Sequence, residues 1–101
     1  MEINELVVEV TQEDIDHGVI GDADMCPIAL AVKRVAPGNV HEVIVFDQVF
    51  ITYRNNCGTE GTEQFKASTP VDAFRFVVDF DEARPVSPFT FTLKGFQKSV
   101  R

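Results

Sequence analysis

The side chains best equipped for chemistry crowd into one stretch of this chain. Asp14, Asp16, His17, Asp22, Asp24 and Cys26 stand directly ahead of the apolar run Pro27-Ile28-Ala29-Leu30-Ala31-Val32. Carboxylates, an imidazole and a thiol are the ingredients of a cation site, an activated thiol or a charged docking face, and each demands a spacing. A calcium loop wants acids at its first, third and fifth positions with glycine at the sixth, and this stretch does not follow that order. Asp14 and Asp16 lie two apart on a helical turn, so they point to different faces. Zinc through His17, His41, Cys26 and Cys57 lacks the paired CxxC or HxxxH spacing that such sites use. The expectation is therefore no metal, with the aspartates capping helices.

Cys26 falls in the first turn of a helix, where the dipole lowers a thiol pKa. Asp22 and Asp24 oppose that, because negative neighbours disfavour a thiolate. Neither His17 nor His41 is placed as its base by sequence, and Met25 and Pro27-Ile28 read as core. Cys26 is thus expected to be buried and structural, no catalytic residue is assigned, and no cofactor is implied. A serine-hydrolase elbow is absent, and Gly58 and Gly61 precede no Lys-Ser/Thr pair of a phosphate loop. Arg54, Asn55 and Asn56 form a loop-edge set suited to a small anion. A small-ligand or nucleotide-sequestering protein built on them is the alternative reading, and a Cys26-dependent thiol enzyme is a further one.

The docking face has the charge distribution on its side. Residues 1–32 carry eight acids and no Lys or Arg, and the rest of the chain carries eight acids and nine bases. The net charge of −7 therefore belongs to the N-terminal third. Such a segment repels phosphate, so direct nucleic-acid binding is not expected. It attracts a basic protein surface, and Glu13, Asp14, Asp16, Asp22 and Asp24 are the candidate protein-binding residues.

The elements that would hold these residues follow from patterning. At 101 residues, with 45% hydrophobic and 25% charged residues, the chain reads as one globular domain over 1–101. No window is apolar over the ~18 residues a membrane span needs, and MEINELVVEV is not a secretion signal. The expected location is the cytoplasm, where both cysteines stay reduced. ELVVEV alternates as a strand, and Thr11-Gln12-Glu13-Asp14 opens a short helix with a capping box. Asp22 or Asp24 caps a second helix that has Pro27 in its first turn. Residues 40–56 read as one long strand, because Asp47-Gln48 lacks the positive-φ residue a tight hairpin favours. EQFKAS returns antiparallel. PVDAFRFVVDFDEA is a helix capped by Ser68 or Thr69, with Val71, Phe74, Val77, Val78 and Phe80 as its buried stripe. Phe89, Phe91 and Leu93 alternate with Thr90, Thr92 and Lys94 in a half-buried final strand. The order β-α-α-β-β-α-β defines an α+β fold: a small antiparallel sheet on one or two helices. The open edge of the last strand suits a homodimer.

A resemblance adds context. Asp14, Ile15 and Gly18, then Cys26-Pro27-Ile28-Ala29-Leu30-Ala31 with Arg34, then Pro88, Phe89 and Phe91, form a pattern similar to that of small proteins of phages and mobile elements. The resemblance spans most of the chain and brings no catalytic motif. It implies an acidic single-domain protein that binds a host protein, in the manner of anti-defence and anti-CRISPR inhibitors. The resulting expectation is a non-enzymatic inhibitor that covers a basic surface of a host defence protein.

Overall fold

A computed structural model describes residues 5–38, 40–54 and 62–99. The elements are β1 (Glu5–Val10), α1 (Gln12–His17), α2 (Pro27–Val35), β2 (Val40–Val45), β3 (Gln48–Arg54), β4 (Thr62–Ser68), α3 (Val71–Asp81), β5 (Phe89–Lys94) and β6 (Gln97–Ser99). The fold is α+β, with three helices and two antiparallel sheets among the described residues. β1 and β5 form a two-stranded sheet, and β2-β3-β4-β6 form a four-stranded one.

The two-stranded sheet follows from alternation. Leu6, Val8 and Val10 stand opposite Leu93, Phe91 and Phe89, so both strands turn their apolar faces the same way. α2 packs against β1 and β2, burying Pro27, Ile28, Ala29, Ala31 and Val32. α1 begins at the expected capping box. Asp14 N–H donates to Thr11 Oγ1 at 3.3 Å, and Thr11 N–H donates back to Asp14 Oδ2 at 2.9 Å. Gly18 ends α1 against Pro27, and a Cβ there would lie 2.6 Å from the proline ring.

Four local readings need correction. Residues 40–54 form a hairpin rather than one long strand, with Val45 opposite Val49. The turn has no positive-φ residue and is held from outside. Thr69 N–H donates to the Asp47 carbonyl at 3.0 Å, and the Thr69 hydroxyl donates to the Phe46 carbonyl at 2.8 Å. Thr69 is thereby spent, and Pro70 stands at the N-cap of α3 with no side-chain cap. α2 is capped by Cys26, whose Sγ accepts from Ala29 N–H at 3.4 Å, and not by Asp22 or Asp24. The buried stripe of α3 is Ala73, Phe76 and Phe80 with half-buried Val77, whereas Val71, Phe74 and Val78 are exposed.

That last correction has a clear cause. α3 carries two apolar stripes, and only one can meet the sheet. β5 decides which: Phe76 stacks on Phe80 at 6.4 Å and on Phe89 at 5.0 Å, and Phe89 stacks on Phe91 at 5.5 Å. A short final strand, β6, also appears, pairing with β4.

Candidate docking surface

The five acids singled out from the sequence fall in two places. Asp14 is buried, 7% exposed, with its carboxylate committed locally. Arg34 Nη2 donates to Asp14 Oδ2 at 2.7 Å and also to the Glu9 carbonyl at 2.8 Å, pinning α1 to α2. Burial pushes the Asp14 pKa up, but donors from Thr11 and Arg34 outweigh it and hold the carboxyl below its ordinary value. Asp14 is therefore a structural anchor rather than a contact residue. Glu13 and Asp16 are exposed on α1, where Gln12 Nε2 donates to Asp16 at 2.9 Å.

Asp22 and Asp24 lie in the turn between α1 and α2. Gly21, at φ +77°, permits that turn, and Asp24 N–H donates to Asp22 Oδ1 at 3.2 Å. A hydrogen bond that the two neighbouring carboxyls can form only when one is protonated lowers the Asp22 pKa and raises that of Asp24. The turn is tied on both sides. Gly21 N–H donates to Asp81 Oδ1 at 3.0 Å, and Val45 N–H donates to the Ala23 carbonyl at 3.0 Å.

These ties build a groove. Gly21, Asp22 and Ala23 form one wall, Val45 and Phe46 a second, and Phe74, Val77, Val78 and Asp81 of α3 a third. Its lining includes two carboxylates and no Lys or Arg. Phe46 is 58% exposed, Phe74 46% and Val78 37%, with Ile20 and Val19 open in the adjoining turn. The groove holds about 250 Å³. Small-molecule sites usually enclose roughly 300–1,000 Å³, so this one suits a side chain better than a whole ligand. Asp81 also sits at the C-terminal end of α3, whose dipole adds to the negative field.

Two other candidate sets remain. Cys26 lies 2% exposed beneath the groove, and burial raises its thiol pKa, the opposite of activation. Arg54 ends β3, while Asn55, Asn56 and Cys57 lie outside the described residues. Among the described residues no three His, Cys, Asp or Glu side chains converge as metal ligands, and no helix is long and apolar enough to cross a membrane. Phe46, Phe74, Val78 and Asp81 were missed as surface residues. The detectable signal was the second apolar stripe of α3. The chain matches no protein-family model, no curated protein and no solved structure.

Proposed function

We propose that this chain is a non-enzymatic binding protein that attaches to a basic surface of another protein and covers it. The observation that carries this reading is the separation of roles among the N-terminal acids. Asp14 is consumed by the fold, whereas Glu13, Asp16 and Asp24 are exposed and Asp22 edges an apolar groove. Residues 1–32 supply no Lys or Arg to neutralise them. Carboxylates placed this way steer a cationic partner and fix its orientation more than they tighten it. The buried, hydrogen-bonded state of Cys26 supports a non-catalytic role. The similarity to phage proteins supplies the context: inhibition of a bacterial defence protein by occlusion.

The test is affinity capture from bacterial lysate with the tagged chain at low and moderate salt, beside a variant carrying Glu13→Gln, Asp16→Asn, Asp22→Asn and Asp24→Asn. The expected result is a stoichiometric protein retained by the wild type, weakened by salt and lost with the variant. Equal retention by both chains, or an empty column, removes the reading.

A further inference from the structure

The groove described above says more than the acidic charge does. Resting on the docking reading, we infer that it receives one large apolar side chain from a partner helix flanked by Lys or Arg. Three observations lead there. The apolar lining is open: Phe46, Phe74 and Val78 are substantially exposed, whereas Phe76, Phe80 and Phe91 are buried. α3 presents Val71, Phe74 and Val78 at i, i+3 and i+7, a seam about 10 Å long at 1.5 Å per residue. A seam of that period interdigitates with the ridge of a second helix. The charge then selects the helix. Asp22 and Asp81 line the groove beside the negative end of α3, exposed Asp24 stands in the same turn as Asp22, and Arg84 is already taken by Asp79 and Glu82, each at 2.8 Å.

The same charges argue against a second copy as occupant. A two-fold dimer through this face brings the surface of one chain against the identical surface of the other. Asp22, Asp24 and Asp81 would then meet their own counterparts, a like-charge juxtaposition that opposes association. A cationic helix meets no such opposition. Its apolar anchor fills the groove while its flanking cations pair with the rim, the arrangement of helix-in-groove recognition.

The probe is a synthetic amphipathic Leu/Lys helix with Leu at i, i+3, i+4 and i+7, compared with a scrambled peptide of equal composition. Binding is read by amide NMR shifts and fluorescence anisotropy on the full chain. Shifts are expected at Gly21–Ala23, Phe46 and Phe74–Asp81, with Phe46→Ser and Phe74→Ser each weakening binding about tenfold or more. Asp22→Asn with Asp24→Asn should flatten the salt dependence. Equal binding of the scrambled peptide, or indifference to both serine variants, overturns the groove. If the Asp→Asn variants still weaken binding in that case, acidic docking stands without it; if no variant matters, both readings fall. Absence of peptide binding also overturns the groove. So does self-association of the wild type that Phe74→Ser abolishes, because the occupant is then a second copy.

Discussion

Replacing Asp14 with Asn removes a charge while keeping the shape of the side chain, and the structure fixes what is lost. The carboxylate accepts from Thr11 N–H at 2.9 Å and from Arg34 Nη2 at 2.7 Å, with its side chain 9% exposed. A hydrogen bond to a charged group contributes about 1.5–3 kcal/mol. The Arg34 side chain is 46% exposed, so water screens the pair and the lower part of that range applies. Both donors bond Oδ2, so an Asn oxygen placed there still accepts from Thr11 and Arg34 but brings no charge to either. The expected cost is about 1–2 kcal/mol, and each kcal/mol moves the melting temperature of a domain this size by about 4–8 °C.

The pH dependence makes the prediction specific. The folded-state pKa of Asp14 lies below its ordinary value of about 3.9. A depressed carboxyl contributes stability above its unfolded pKa and loses it as pH falls through the folded one. The gap in melting temperature between wild type and Asp14→Asn should therefore be constant from neutral pH down to about 5 and narrow as the pH falls below the ordinary carboxylate range. Thermal unfolding followed by circular dichroism across that range reads it directly. A cycle with Arg34→Met should return a coupling of at least about 0.5 kcal/mol. No gap at pH 7, or a gap that persists undiminished in acid, would refute the assignment of Asp14 as anchor.

The two faces of α3 should respond in opposite ways. Phe76→Ala removes a ring stacked on Phe80 and Phe89 and should cost about 3–5 kcal/mol, whereas Phe74→Ser should stay within about 1 kcal/mol; urea unfolding separates them. Ala83 takes φ +59° just after α3, so Ala83→Gly should stabilise by about 0.5–1 kcal/mol, and a loss of stability in the same assay would contradict that backbone geometry. Native Cys26 should resist iodoacetamide at pH 7 and react once urea unfolds the chain, as mass spectrometry of the labelled peptide would show.

What was legible in the sequence was local. Thr11 and Asp14 satisfy each other's backbone within one turn, so the capping box needed nothing beyond four residues. Alternation likewise marked Leu6, Val8 and Val10 on one strand and Phe89, Phe91 and Leu93 on another as the inward faces, because a strand with one buried face advertises it, whereas the pairing of the two strands joins opposite ends of the chain and no local pattern announced it. The hairpin of β2 and β3 escaped because its turn is held by Thr69, more than twenty residues downstream. The cap of α2 escaped because a thiol, not a carboxylate, fills that position.

The candidate site was hidden for a deeper reason. Its walls come from residues 21–23, 45–46 and 74–81, and no spacing rule joins them. The sequence placed Asp22 and Asp24 in a charged segment and Phe74 in a core, treating charge and apolar surface as separate subjects. α3 shows two apolar stripes but not which of them stays exposed, because Ala73, Phe76 and Phe80 repeat at helical spacing as well as Val71, Phe74 and Val78 do. Only the aromatic stack on β5 chooses between them. Once that choice is made, the rejected stripe faces the acidic turn, and the two features become one surface. An apolar stripe left over from packing has no reason to end against the carboxylates of Asp22 and Asp81. The docking groove proposed above, which would orient a cationic helix, supplies one.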